Sequence, residues 1–226
     1  QARDLSSLLA LHAHEAEQQR RPSDTVIEAL KASDIFKLMA PAAYGGLELD
    51  LDTFFEVGLA LGEGDASMSW VANFYIEHVW MLCQFPASFQ QALFADQSYV
   101  LAPAMISPTG VVKQEAKGWR LSGRWSWSTG IMHADWVIPA AIMKVGDKRA
   151  PFFFAIPADE VKVEDTWFVD GMQGTGSNDV LIEDVFVPED RCVAYLDMVK
   201  GEGPGAEIHE GPLYRTPMLP ILGLAA

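Results

Sequence analysis

In Leu121-Ser122-Gly123-Arg124-Trp125-Ser126-Trp127-Ser128-Thr129-Gly130 and the nearby His133-Ala134-Asp135-Trp136, three indole rings lie within sixteen residues. Hydroxyl groups and glycines lie between them, a mixture that a plain core strand seldom needs. Aromatic rings supply flat contact area, whereas hydroxyls and backbone N–H groups fix the orientation of a bound molecule. The stretch therefore predicts a strand that forms one wall of a site for a planar heteroaromatic ligand.

This wall belongs to a segment with the pattern of short β-strands, which begins near Tyr99. Its runs of β-branched and aromatic residues are bounded by turn residues such as Lys117-Gly118 and Gly146-Asp147. Strands spaced this closely, without helices between them, indicate an antiparallel barrel or sandwich. The predicted strands are 111–114, 119–121, 136–138, 152–156, 161–163 and 180–187.

The preceding part of the chain has the apolar spacing of α-helices. One helix is predicted to start with a capping box, in which the Thr25 hydroxyl and the Glu28 carboxylate satisfy free backbone N–H groups. Another, from about residue 66 to 85, is apolar on most sides, which predicts burial within a bundle.

Together these patterns predict an α+β fold. Residues 1–98 would form an N-terminal helical bundle, and residues 99–205 an antiparallel β-barrel or sandwich domain. Residues 206–226 are interpreted as a linker and the start of a truncated C-terminal helical domain, because the run 220–226 has the pattern of a helix just beginning.

Composition and motifs disfavour several classes of function. The 16 basic and 31 acidic residues give a formal charge of -15, which repels nucleic acids and anionic membranes. Cys83 and Cys192 have no CxxC spacing, so neither a disulfide framework nor a metal site is predicted, and a reducing cytoplasm fits. The sequence also lacks GxGxxG, GxxxxGK[ST], GxSxG and HExxH motifs and any apolar run of about 18 residues.

The order of several segments resembles the acyl-CoA dehydrogenase superfamily. Within it, STGIMHAD (128–135) and WFVDGMQGTGSND (167–179) are more similar to the flavin-dependent aromatic hydroxylase branch, which includes the oxygenase components of two-component 4-hydroxyphenylacetate and phenol hydroxylases. Dehydrogenases usually run from GTK to an aromatic residue followed by ITNG, whereas 123–130 is one residue shorter and lacks the Asn. The superfamily segments are PAAYGG (41–46), GWRLSG (118–123), WSWSTG (125–130), Ala134-Asp135, and Asn178-Asp179-Val180 through Val187-Pro188.

The resemblance implies a flavin-dependent monooxygenase. Reduced FMN or FAD, supplied by a separate flavin reductase, would react with O2 to give a flavin hydroperoxide that hydroxylates a phenolic or other aromatic substrate. It also implies a cytoplasmic homotetramer and a C-terminal helical bundle that is missing from this chain. Two alternatives stay open: an acyl-CoA dehydrogenase that desaturates an acyl thioester with FAD, and a ligand-binding or scaffold fragment.

Two residues on the apolar helix are candidates for the substrate side of the site. His78 follows Phe74 by four residues, so both lie on one helix face. The resemblance implies that a histidine here orients the substrate phenol, and an imidazole can also polarise or deprotonate it. The alternative is a core histidine that is bonded to a backbone carbonyl.

The remaining candidates belong to the cofactor side. Ser128 and Thr129 are catalytic candidates that would hydrogen-bond near flavin N5, with Trp127 packing nearby; the alternative is an ordinary turn. The resemblance places Met105 and Ser107 in a strand and loop that touch the flavin ring, where an ordinary strand end is the alternative. Thr175 lies in a glycine-rich turn that resembles an anion-binding loop, although most such turns are only turns.

Overall fold

The computed structural model of the protein describes residues 1–224, which form helices first and strands second. This order confirms the predicted α+β fold class. Two short helices follow the strands, and one of them lies in the segment 206–226, of which residues 225 and 226 fall outside the described part. The helices are α1 (Ala2–Gln19), α2 (Asp24–Ala32), α3 (Leu51–Gly62), α4 (Ala66–Leu82), α5 (Ala87–Leu93), α6 (Tyr195–Lys200) and α7 (Met218–Leu222).

The strands form one sheet in the order β6-β7-β2-β1-β3-β4-β8, with β5 paired to β3. All of these pairs are antiparallel except β1–β3, which is parallel. The predicted domain boundaries at residues 98 and 205 stay predictions. The strands are β1 (Ala104–Glu115), β2 (Gly118–Trp125), β3 (Trp136–Val145), β4 (Lys148–Phe154), β5 (Ile156–Pro157), β6 (Lys162–Glu164), β7 (Asp179–Pro188) and β8 (Cys192–Ala194).

The parallel pair arises from the way the chain leaves β2. That strand folds back on β1 through a tight turn at Lys117, so it finishes at the end of the sheet where β1 begins. Residues 126–135 then cross the start of β1 and place β3 on its other edge. Because β3 starts at this same end, it runs in the direction of β1. The crossing segment 126–130 therefore lies beside Met105.

One face of the sheet, called the inner face here, is packed around Trp125. The ring is buried, and its indole N–H donates to the Ala140 carbonyl at 2.8 Å. Gly110 and Gly123 leave room for it, since a Cβ at these positions would lie 2.3 and 2.9 Å from ring atoms. Leu121, Val180 and other apolar side chains complete this interior cluster.

The helices pack on the outer face of the same sheet. Ile138, Ala140 and Phe153 share one apolar cluster with residues of the bundle. Helix α4 is buried over most of its surface, as its sequence predicts, and the Asp65 side chain caps its start by accepting from the Met68 N–H. Among the described helices, none is both long and apolar enough to cross a membrane.

The predicted capping box at Thr25 and Glu28 is wrong. Helix α2 begins two residues earlier, with Ser23 as the N-cap residue, Asp24 as the first helical residue and no side-chain cap hydrogen bond. The Ser23 hydroxyl lies 3.3 Å from Nδ1 of His12 instead. A tertiary contact with α1 therefore takes the place of the local cap.

The helical and sheet layers are also joined by a buried hydrogen bond. The Tyr75 hydroxyl, on α4, donates to the carbonyl of Gly130 in the segment after β2. Gly130 has a positive φ of 77°, and a Cβ there would lie 2.6 Å from the Tyr75 oxygen. The glycine therefore allows the turn to approach the helix this closely.

Substitution Tyr75→Phe is expected to lower the free energy of unfolding by about 1 kcal/mol, since the Gly130 carbonyl keeps a second donor in the His133 N–H. Urea titration at pH 7 measures the change. Tyr195→Phe is the matched control, because that ring stacks on Phe153 and its hydroxyl has no hydrogen-bond partner within residues 1–224. Equal losses in both variants would contradict a specific role for the Tyr75 bond.

Candidate active site

A cavity of about 520 Å³ lies between α4 and the sheet. This volume is within the range of roughly 300–1,000 Å³ that is usual for small-molecule sites. Two of the predicted site residues, Ser128 and Thr175, lie behind its wall rather than in it. The other six line it together: Phe74, His78, Met105, Ser107, Trp127 and Thr129.

Helix α4 supplies the first wall. Phe74 and His78 lie one turn apart, and their rings meet edge to face with centroids 5.1 Å apart. Trp70 packs against the other side of Phe74 at a centroid distance of 4.8 Å. This aromatic row holds the His78 ring in one orientation and gives the cavity an apolar surface.

His78 presents a neutral imidazole to this cavity. Its side chain is 2% exposed, and burial lowers the pKa of His78 to about 4, although a bond to a backbone carbonyl opposes this. Nδ1 lies 2.7 Å from the Ala102 carbonyl oxygen, which can only accept, so the ring proton belongs on Nδ1. Nε2 therefore carries a lone pair. The histidine is bonded to a backbone carbonyl, as in the alternative interpretation, and still offers an acceptor.

Glu77 is a cavity residue that the sequence reasoning missed. Its side chain is 0% exposed, and neither carboxyl oxygen has a hydrogen-bond partner in the described part of the chain. Burial raises the pKa of Glu77 well above its usual value, which favours the neutral acid. Its Oε1 lies 3.6 Å from His78 Nε2, a contact between two uncharged groups. The sequence signal that could have revealed Glu77 is an acidic residue within an otherwise apolar helix.

The second wall follows β2, and here the strand prediction is wrong. The strand ends at Trp125, and Trp127 has a positive φ of 65° that breaks the extended backbone. The break turns the Trp127 ring outward, where it is 73% exposed. Ser128 and Thr129 are both buried as a result, although neighbouring residues of a straight strand would face opposite sides.

The buried hydroxyls form a directed chain of hydrogen bonds. The Thr175 hydroxyl donates to the Met172 carbonyl at 3.0 Å. In the 2.7 Å bond between Ser177 and Thr175, the Ser177 hydroxyl is therefore the donor and Thr175 the acceptor. In the 3.0 Å bond between Thr129 and Ser177, Thr129 is then the donor and Ser177 the acceptor. Thr129 therefore offers the cavity an acceptor oxygen, and Thr175 acts on the cavity only through Ser177 and Thr129.

Ser128 lies apart from this chain. Its hydroxyl donates to the Met105 sulfur at 3.2 Å, and its N–H donates to the Asn178 carbonyl. It therefore supports Met105, which itself lines the cavity. A direct role of Ser128 in catalysis stays a prediction.

The glycine-rich turn around Thr175 is accounted for by packing. A Cβ on Gly174 would lie 3.1 Å from Ser67 and 3.2 Å from Ala16, and Gly176 has a positive φ of 57° beside the Arg20 carbonyl. Both glycines let the turn lie close to α1. Its predicted role as an anion-binding loop stays a prediction.

The third part of the wall is an irregular stretch of β1. The register of β1 against β3 is interrupted between Met105 and Gly110, and its pairing with β2 begins only at Val111. Residues 106–109 therefore lie outside the paired register, and Ser107 among them lines the cavity. Such an unpaired, irregular stretch can offer backbone N–H and C=O groups to a ligand.

Comparison with known proteins finds relatives of this chain, although no protein-family model matches it. A pigment production hydroxylase from Rhodococcus sp. (strain ATCC 21145) is 38% identical over 213 residues, which is 94% of this chain and 55% of that protein. The oxygenase component of an FADH(2)-dependent resorcinol hydroxylase from Rhizobium sp. (strain MTP-10005) is 31% identical over 95% of this chain and 53% of its own length. This chain is homologous to flavin-dependent hydroxylases.

Solved structures with the same fold include one of a hydroxylase. The 3-HSA hydroxylase from Rhodococcus sp. RHA1 matches with a TM-score of 0.91 and 30% identity over 98% of this chain and 59% of that one. XiaF from Streptomyces sp., in complex with FADH2 and glycerol, matches with a TM-score of 0.88 and 30% identity over 97% and 56% of the two chains. This hydroxylase homologue spans about half the length of the curated relatives it matches.

The resemblance to the aromatic hydroxylase branch is therefore confirmed. The named relatives are hydroxylases and not acyl-CoA dehydrogenases. This favours the monooxygenase interpretation over the acyl-CoA dehydrogenase interpretation. The shorter 123–130 segment agrees with this, since it contains the break at Trp127. The residue roles within the cavity stay predictions.

The depressed pKa of His78 has a consequence for acid stability. Between its unfolded value near 6.5 and its folded value of about 4, only the unfolded chain binds the proton. The contribution of His78 to stability is therefore lost as the pH falls through this window, and it amounts to about 2–3 kcal/mol between pH 7 and pH 4.5. Urea unfolding at the two pH values, compared with a variant that lacks the imidazole, measures this contribution.

Substitution His78→Asn keeps a donor for the Ala102 carbonyl and removes the titrating ring. The variant is expected to lose less stability than the unmodified protein over the same pH interval, by the amount given above. An identical acid dependence in both proteins would contradict the assignment of this effect to His78.

Proposed function

We propose that the protein is the oxygenase component of a two-component flavin-dependent monooxygenase that hydroxylates a phenolic or other aromatic substrate with reduced flavin and O2. The observation that carries this proposal is the cavity itself, in which the His78 acceptor on α4 faces the Met105, Trp127 and Thr129 wall. An apolar slot with a few acceptors suits a flat aromatic molecule that carries a hydrogen-bond donor.

The residues of the second and third walls fit a reduced flavin. A reduced isoalloxazine ring carries additional N–H groups, and the directed hydroxyl chain leaves Thr129 as an acceptor for one of them. Residues 106–109 would supply backbone partners for the polar edge of the ring, while Met105 and Trp127 would pack on its apolar part. When bound, reduced flavin supplies the chemistry that activates oxygen.

The choice between the two flavins rests on two relatives. The Rhizobium enzyme is FADH(2)-dependent by name, and the XiaF structure holds FADH2. We therefore infer reduced FAD rather than FMN as the flavin. A separate flavin reductase is inferred as the partner, because the Rhizobium relative is named as an oxygenase component. The homotetramer and the cytoplasmic location stay predictions.

The α4 wall would hold the substrate. His78 Nε2 would accept the hydroxyl proton of a phenol, which places the ring against Phe74 and Trp70. A neutral imidazole with a low pKa is a weak base, so its contribution is mainly to orient the phenol. The aromatic row would also exclude water from the reacting face.

The test uses the full-length protein with reduced FAD or FMN, prepared anaerobically and mixed with 18O2 and a panel of phenols. One labelled oxygen atom is expected in the hydroxylated product of at least one phenol. His78→Asn is expected to bind flavin normally and to form product at least about tenfold more slowly. Desaturation of an acyl thioester, with no labelled phenolic product, would contradict the proposal.

The flavin contact proposed for Thr129 has its own test. Thr129→Val is expected to raise the dissociation constant of reduced flavin about fivefold, the effect of losing one hydrogen bond. Thr109→Val is the matched control in the same cavity, since the Thr109 hydroxyl is already engaged with the Arg124 carbonyl at 2.9 Å. Anaerobic fluorescence titration measures both, and equal changes would remove Thr129 from the flavin site.

A further inference from the structure

Glu77 and His78 form an adjacent pair of buried, uncharged groups in the cavity wall. Both carboxyl oxygens of Glu77 lack a partner within residues 1–224, which is costly for a buried polar group. Arg124 lines the same cavity, but its guanidinium group bonds to Asp179 at 2.8 Å and to Glu164 at 3.0 Å. Within residues 1–224, no side chain compensates this acid, and a ligand hydroxyl would.

The spacing of the pair suits one bridging atom. Glu77 Oε1 and His78 Nε2 are 3.6 Å apart, too far for a direct hydrogen bond but well below the sum of two hydrogen-bond lengths, about 5.5 Å. A single oxygen atom can therefore contact both groups at once. Because Nδ1 of His78 is committed to the Ala102 carbonyl, Nε2 accepts, whereas the neutral Glu77 acid donates.

A hydroxyl group is the chemical group that matches this polarity, since it donates one proton and accepts another. We propose that Glu77 is a substrate-binding residue that donates a hydrogen bond to the same aromatic hydroxyl whose proton His78 Nε2 accepts. The proposal rests on the function proposed above and adds a specificity: the pair selects an uncharged hydroxyl on the ring. A ring without a hydroxyl would leave the acid unpartnered.

The test compares the binding of 4-methylphenol with that of toluene, which has the same shape but no hydroxyl. Wild-type, Glu77→Gln and Glu77→Leu full-length proteins are saturated with reduced FAD under anaerobic conditions and titrated by calorimetry. Glu77→Leu is expected to weaken 4-methylphenol binding about tenfold and to leave toluene binding unchanged. Glu77→Gln keeps a donor and is expected to stay within about threefold of the wild type.

The possible outcomes distinguish a failure of the Glu77 inference from a failure of the proposed function. A loss of both ligands in Glu77→Leu would mean that Glu77 only supports the cavity, and it would overturn the inference. Equal 4-methylphenol binding by the wild type and Glu77→Leu would overturn it as well, since water then satisfies the acid. If Glu77→Gln loses as much as Glu77→Leu, the donor role is wrong. Wild-type protein that binds 4-methylphenol no more tightly than toluene would overturn the inference, whereas absence of labelled product from every phenol of the 18O2 panel would overturn the proposed function itself.

Discussion

The buried bond from the Tyr75 hydroxyl to the Gly130 carbonyl fixes how the helical layer meets the sheet. Tyr75 lies one residue after Phe74 and three before His78, so the bond sets the position of the whole α4 wall. On the sheet side, Gly130 directly follows Thr129, so the same bond positions the second wall. This bond, together with the apolar cluster that the helices share with the sheet, therefore sets the separation of His78 from Thr129.

Burial then determines the chemistry that these walls can perform. Burial removes the hydration of the charged forms of His78 and Glu77, which lowers the pKa of the base and raises that of the acid. The result is a cavity wall of neutral donors and acceptors. Such a wall distinguishes ligands by the direction of their hydrogen bonds and not by their charge. The Thr129–Ser177–Thr175 chain follows the same rule, because the Met172 carbonyl at its end fixes the direction of every proton.

Most of the fold could be predicted from periodicity. The helical spacing of residues 1–98, the apolar surface of α4 and the short β-rich runs are all local patterns, and the corresponding elements are present. The parallel pairing of β1 with β3 could not be predicted, because the path of residues 126–135 is a tertiary property. The capping box failed for a similar reason, since contact between Ser23 and His12 outweighs the local signal.

The residues of the site could be predicted from the sequence better than their arrangement in space. Phe74 and His78 share a helix face in the sequence and in the structure, because a spacing of four residues is sufficient for that conclusion. The positive φ of Trp127 had no sequence signal, since the residue is not glycine, and it decides which hydroxyls are buried. Glu77 was overlooked because an isolated acidic residue on a helix usually faces solvent.

Residues 126–135, which cross the start of β1, have a different role from the strands on either side of them. The strands on both sides carry the ladder hydrogen bonds, whereas this connection has only to span the end of the sheet and present its side chains to the cavity. Insertions or deletions here can therefore reshape the ligand pocket without shifting the register of β2 or β3. Such a connection is a natural place for new ligand preferences to arise on an unchanged scaffold.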